Sequence, residues 1–262
     1  VTTRTRPLPA ALTVVGAVVV AVLVVRTSLL DAGGQRRDQD AMEAVWAGDD
    51  TRDQLLSVLG YVSIGSAAAV LAGCVLVALG RRNVRLAIAA VVLVAGANLT
   101  TQLLKHVLLE RPDHGLGVHN SLPSGHATVV LSVLVAALLV APGTVRPLIG
   151  LGGGLLATFV ATSMVVAGWH RPSDLLVAAC VCLAWLGLVC LGLATRWRPA
   201  VATLALALVG SAVACAAVVA VGVRPTGGWG GATEAAAVLA GTGLAVSLTL
   251  ALAAGFRPRA QP

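Results

Sequence analysis

The chain has almost no aromatic side chains, a single lysine and little charge: Phe, Trp and Tyr make up 3% of its 262 residues, and Asp, Glu, Lys and Arg together 11%. A soluble domain carries charge on about a quarter of its residues, so a water-soluble globule is excluded. The residues that fill the chain are Ala, Val, Leu and Gly, and the mean hydropathy is +0.92. Such a chain belongs in a bilayer. Arginine stands almost everywhere lysine could, a bias that points to a GC-rich bacterial genome. Cysteine is sparse too. Cys74, Cys180, Cys182, Cys190 and Cys215 all fall inside apolar runs, without the spacing or solvent access of a disulfide framework or zinc site, and read as small buried hydrophobes.

A membrane-spanning helix needs about 20 apolar residues, and eight such runs are present, at 9–25, 56–79, 86–104, 125–141, 148–169, 174–194, 200–222 and 234–255. The fold class is therefore all-α, a polytopic integral membrane bundle of about eight transmembrane helices. The first run follows Arg4 and Arg6, but no small-x-small cleavage site follows it before Arg26, so it reads as a retained span. Gly150, Gly152, Gly153 and Gly154 open the fifth run, where small residues let a neighbouring helix approach closely. The polar segment from 26 to 55 carries Asp31, Asp38, Asp40, Glu43, Asp49, Asp50 and Asp53, with Met42, Val45 and Trp46 at helical spacing. It is expected to hold a short interfacial helix, serving as a lid or lipid-entry element or as a solvated connector.

Alternating the spans from a cytoplasmic N-terminus puts Arg4, Arg6, Arg81, Arg82, Arg85, Arg146, Arg196, Arg198, Arg257 and Arg259 inside with no acid among them, and all eleven Asp and Glu outside. The positive-inside rule fixes this orientation, with both termini cytoplasmic. The pI of about 10.1 then reflects topology and not nucleic-acid binding.

Three polar islands interrupt the apolar pattern, and the same topology sets all three on the outer face. The first is Lys105 with Arg111-Pro112, at the end of a stripe formed by Asn98, Thr101, Gln102 and Lys105 at i, i+3, i+4 and i+7. A lysine in hydrocarbon costs about 2.5–3.5 kcal/mol on insertion scales, so the stripe should face protein or a water-filled cavity. Two cations at one mouth make an anion clamp, with arginine able to bind phosphate oxygens in pairs. The second island, Pro123-Ser124-Gly125-His126, opens the fourth run. Ser124 is placed to cap the helix, Gly125 lets an anion reach the backbone, and the free N–H groups of the first turn form an anion site. In the third, His170-Arg171-Pro172-Ser173-Asp174, the carboxylate is four residues from the histidine and can hold one ring nitrogen while the other faces a substrate.

Pro123 to His126 and the set His170, Ser173 and Asp174 resemble the second and third signatures of the type 2 phosphatidic acid phosphatase family, the lipid phosphate phosphatases related to vanadium haloperoxidases. The resemblance spans roughly residues 56–194. It implies a six-span phosphatase core within residues 1–194 and two additional spans in 195–262. It also implies roles: His170 as the nucleophile that forms a phosphohistidine, Asp174 orienting it, His126 as general acid, and Lys105, Arg111, Ser124 and Gly125 binding phosphate. No metal or other cofactor is implied. The expected partners are membrane lipids and a lipid phosphate substrate: phosphatidic acid, phosphatidylglycerol phosphate or a polyprenyl diphosphate such as undecaprenyl diphosphate.

Two departures from the family pattern stand out. Five residues separate Lys105 from Arg111 where the family has six, which on a continuous helix turns Arg111 by about 100°; a residue before proline leaves the helical region, which lets Arg111 reach back. The family arginine six residues before the nucleophile is replaced by Met164, following Ser163. Arg171 is the candidate substitute. The alternative to an enzyme is a catalytically weak or silent lipid-phosphate binder or transporter with the same fold.

Overall fold

In hydrocarbon a backbone N–H or C=O finds its partner only within its own helix, and among the described residues the apolar runs of this chain are mostly helical. The computed structural model describes residues 7–60, 64–193 and 195–258. Its helices are α1 (Leu8–Val24), α2 (Ala32–Glu43), α3 (Asp49–Leu59), α4 (Ile64–Gly80), α5 (Val84–Leu103), α6 (Gly125–Val140), α7 (Arg146–Val166), α8 (Pro172–Gly192), α9 (Val201–Ala220) and α10 (Ala232–Gly255). Single π-helical turns extend α1 to Leu30 and α5 to Leu108. Among the described residues six helices are long and apolar enough to cross a membrane, and Gly65–Gly80 and Gly125–Val140 are apolar but shorter. This is the expected all-α polytopic bundle.

The expected run at 56–79 is divided, because α3, built on the polar stretch Asp49–Gln54, continues to Leu59 before α4 starts at Ile64. Residues 61–63, like Arg4, Arg6 and Arg259 of the charge pattern, lie outside the described residues. Val45 and Trp46 do not continue a helix from Met42. They form a short strand, β1 (Val45–Trp46), antiparallel to β3 (Arg224–Pro225), and the Thr226 N–H donates to Ala44 O at 2.9 Å. A partner strand 180 residues away takes backbone groups that local spacing assigns to a helix.

The two ends of the bundle differ in chemistry. At one, the Arg146 guanidinium is buried and donates to Ala141 O at 3.1 Å, Ala254 O at 2.7 Å and Phe256 O at 2.8 Å. It thus satisfies carbonyls that helix C-termini leave orphaned. Arg81 donates to Val140 O at the same end, where β2 (Thr195–Trp197) pairs with β4 (Phe256–Pro258). The opposite end gathers α2, α3, the 109–124 loop and the start of α8. There Arg52 of α3 donates to Ala167 O at 2.8 Å and so closes the end of α7.

Glycine sets the approach of α7 and α9. A Cβ on Gly154 would stand 2.3 Å from Ala207 O, one on Gly210 2.1 Å from Leu151 O, and one on Gly150 2.8 Å from Thr203 O. The backbones touch because these three carry no side chain, the close-packed interface that small residues four apart allow. Gly152, by contrast, has no neighbour within 4 Å of the same point. Gly154→Leu is therefore expected to lower the melting temperature of the purified protein, by the equivalent of about 1–3 kcal/mol or more for overpacking, whereas Gly152→Leu leaves it unchanged. Equal melting of the two variants in detergent contradicts this interface.

Candidate active site

The third island begins where α7 is turned back. Gly168, at φ +72°, takes the left-handed conformation, and the N–H groups of Gly168 and Trp169 return to Val165 O at 2.9 Å and Met164 O at 3.0 Å. This closure of a helix C-terminus needs glycine at its left-handed position, and it swings His170 over the end of the helix it has just left. Pro172 then opens α8 at a position where the missing N–H costs nothing. Asp174, in the first turn, accepts the Arg171 N–H at 3.1 Å and the His170 Nδ1–H at 2.9 Å through one oxygen, Oδ2. A carboxylate only accepts, so Nδ1 is the donor, and Nε2 is the nitrogen that bears the free lone pair when the ring is neutral. Both side chains are buried.

The second island is fastened to the third through the backbone, since the Ser124 N–H donates to Asp174 O at 3.2 Å. Ser124 caps α6, its Oγ accepting the Ala127 N–H at 3.3 Å, while its hydroxyl points to the Met164 sulfur at 3.6 Å. Ser124 and Met164 are wholly buried. Gly125 is not needed for packing. A Cβ there would meet only Gln102 Nε2 at an ordinary 3.7 Å, so the glycine keeps the first turn of α6 open rather than relieving a clash. His126 stands half-buried with its ring 6.3 Å from that of Trp169, and both His170 and Lys105 are close enough to act on it electrostatically.

The polar stripe of α5 faces α6, as its cost in hydrocarbon requires. Asn98 donates to Ser132 Oγ at 3.1 Å, and the Thr101 and Thr128 hydroxyls meet at 2.9 Å, directly beneath the cap of α6. Lys105 lies in the π-helical turn that follows. The helix ends at Leu108, Leu109 is extended, and the side-chain amide of Asn120 donates to Leu109 O at 2.9 Å, folding the loop back over the bundle. Arg111 thereby comes to lie buried at the site, with Nε and one terminal nitrogen unpartnered. Burial and the neighbouring Arg171 hold its guanidinium below the usual value, and Asp38 and Asp174 oppose that shift.

Lys105, Arg111, Ser124, Gly125, His126, His170, Arg171 and Asp174 are thus gathered at one end of α5, α6 and α8. Three more residues join them from α2. Asp38 accepts the Ser173 N–H at 3.1 Å and the Ser173 hydroxyl, Gln39 Oε1 accepts from Arg171 Nε at 2.9 Å, and the Gln35 side chain donates to Pro112 O at 3.0 Å. The 26–55 segment is therefore not a solvated connector. The only sequence signal for these residues was their i, i+3, i+4 spacing, which the acidic composition of the segment hid. Among the described residues no cluster of three His, Cys, Asp or Glu has the arrangement of a metal site, and the five cysteines are free thiols inside helices.

Residues 86–198 match the PAP2 superfamily, a phosphatase-type family acting on phosphate esters. The match is consistent with the resemblance to the type 2 phosphatidic acid phosphatase family drawn from the motifs. It covers α5 to β2, the part of the chain that holds all three islands. No curated protein and no solved structure matches the chain.

Burial pushes the Asp38 carboxyl up from 3.8 to about 6, the two bonds from Ser173 and the charge of Arg171 pulling the other way and Asp174 adding to the rise. The folded protein then holds this proton more tightly than the unfolded chain does. The stability that Asp38 contributes is full below about pH 3.8, falls as pH rises to about 6, and is constant above it. The difference in stability between the wild type and Asp38→Asn is expected to shrink over that window and stay level from about pH 7 upwards. Melting curves of both proteins across the range check it, and a difference that is flat from pH 4 to 6 contradicts it.

Proposed function

We propose, taking residues 86–198 as a PAP2-superfamily region, that the protein hydrolyses a phosphomonoester or diphosphate on a lipid at the outer face of the membrane, through a phosphohistidine and without a metal. The observation that carries this reading is Arg111: a buried guanidinium with two unpartnered nitrogens, beside a second arginine and an Asp-held histidine. A buried donor left unpaired is costly, and a phosphate oxyanion is the partner whose geometry fits a guanidinium best.

His170 Nε2 attacks phosphorus while Nδ1–H remains on Asp174 Oδ2, so the positive charge that develops on the ring is met by a carboxylate 2.9 Å away. The P–O bond to the lipid breaks, and His126 gives its proton to the departing oxygen. Water then attacks phosphorus, His126 takes a proton from it, the P–N bond breaks, and phosphate leaves. Arg111, Lys105, Arg171 and the open N–H groups at Gly125 and His126 offset the charge on the phosphoryl oxygens, the electrostatic part of phosphoryl transfer.

An apolar cavity of about 310 Å³ supports a lipid as substrate. It lies between α6, α7, α8 and α10, with Leu131, Ala161, Ala179 and Val246 in its wall, and it includes Ala41 of α2, Ala127 in the first turn of α6 and Pro172 at the start of α8. A chain that enters it keeps its apolar surface out of water while its head lies among the cations. The silent-binder alternative draws on Met164, but His126, His170 and Asp174 are gathered with two arginines, and a binder has no need of the histidine–carboxylate pair.

His170→Ala is expected to abolish phosphate release from a panel of lipid phosphates while the protein still folds. His126→Ala is expected to be nearly as severe except on good leaving groups, and Asp174→Asn to cost about 10³–10⁴-fold, the scale of a lost orienting carboxylate. EDTA leaves the wild type active. Wild-type rates in the His170 and His126 variants, or an EDTA-treated enzyme revived only by magnesium, would refute the mechanism.

Sidedness is tested by labelling. In a background without the native cysteines, His119→Cys in the loop before α6 is expected to react with a membrane-impermeant thiol reagent in intact cells, and Thr144→Cys between α6 and α7 is not. The reverse pattern moves the site to the cytoplasmic leaflet.

A further inference from the structure

The buried face of α2 is polar. Gly34, Gln35 and Asp38 are its buried residues, Gln35 being wholly enclosed. A helix with little apolar surface gains little from the hydrophobic effect, and each polar group it buries costs free energy unless it is bonded. Its seat is therefore specified by the groups it meets. Gln35, Asp38 and Gln39 share one face and reach, respectively, the carbonyl of Pro112 beside Arg111, the first turn of α8, and the Arg171 guanidinium. Arg171 is held on its other side by Ser121 Oγ, 3.2 Å from its terminal nitrogen.

This arrangement works against charge repulsion. Gln35 and Gln39, one turn apart on α2, reach Pro112, which follows Arg111, and the Arg171 guanidinium, so two like charges are brought to the same face of α2, and a freely rotating Arg171 would swing away toward water. Gln39 supplies a neutral acceptor, which fixes the guanidinium without cancelling its charge, as a carboxylate would. We infer that Gln39 is a positioning residue that holds Arg171 beside Arg111, so that the two guanidiniums form a paired anion cradle, and that Gln35 and Asp38 seat the helix that carries it. The inference rests on the reading of the site as a phosphate site.

The test is a double-variant cycle on the full-length protein in detergent, read as the dissociation constant for inorganic phosphate or orthovanadate and, separately, as KM and kcat. Gln39→Met, which keeps the volume and removes the acceptor, is expected to weaken anion binding about tenfold or more, the order of one hydrogen bond to a charged group. KM should rise more than kcat falls, and the melting temperature should be little changed. In an Arg171→Ala background the same substitution is expected to have no further effect. Gln39→Ala serves as a second variant, with the same pattern expected. Unchanged binding in the Gln39 variants, or equal losses with and without Arg171, overturns the inference. A wild type that binds neither anion overturns both readings. A wild type that binds phosphate with the Gln39–Arg171 coupling but releases none from any lipid phosphate overturns the phosphatase reading alone.

Discussion

Asp174 is the residue on which the arrangement of the site depends. One carboxylate oxygen accepts from the His170 ring and from the Arg171 backbone, while its own carbonyl accepts from Ser124 at the start of α6. Two helix starts far apart in the chain are thereby fixed to each other by hydrogen bonds around a single side chain. Everything else in the site is arranged around that junction. Its strength comes from burial, since these bonds lie where water does not compete for them.

Around this junction the charges are balanced by contact and left unbalanced by design of the cleft. Asp174 is hydrogen-bonded to His170 and Asp38 to Ser173, and neither reaches the unpartnered Nε and terminal nitrogen of Arg111. Arg171 is held by uncharged acceptors. The outcome is an end of the bundle that gathers two guanidiniums, a lysine and an open helix N-terminus, with the acids hydrogen-bonded to other groups. A dianion suits such a space better than any neutral ligand does.

The rest of the bundle keeps that space in register. The α5 stripe bonds to α6 under the Ser124 cap, so the helix carrying Lys105 and the helix carrying His126 cannot slide independently. Glycines on α7 and α9 bring those helices into backbone contact, and the buried Arg146 gathers carbonyls at the far end. A hydroxyl chain from Thr158 through Ser211 to Ser247 adds α10 to the same assembly. Because lipid gives no hydrophobic reason for helices to associate, these small and polar contacts are what hold them.

The apolar runs determine the helices, since a run of that length in hydrocarbon has no other way to satisfy its backbone, and all of them except the run at 56–79 are legible in the sequence. So are the three islands, because charge and proline inside such a composition are conspicuous. The departures came where a distant partner decides. Val45 and Trp46 form a strand because Arg224 and Pro225 lie alongside them, and residues 49–59 form a separate helix before α4. The spacing of Lys105 and Arg111 indicates an unwound helix end, but not the Asn120 amide that folds the loop back. Asp38 and Gln39 carry no signature of their own in an acidic segment. They matter through Ser173 and Arg171, 135 and 132 residues away. The sequence by itself determined which segments are apolar enough to cross a membrane and which side chains are chemically able to handle a phosphate, because both follow from local composition. Tertiary structure alone decided which of those side chains keep a free valence, because that depends on contacts between segments that no local pattern records.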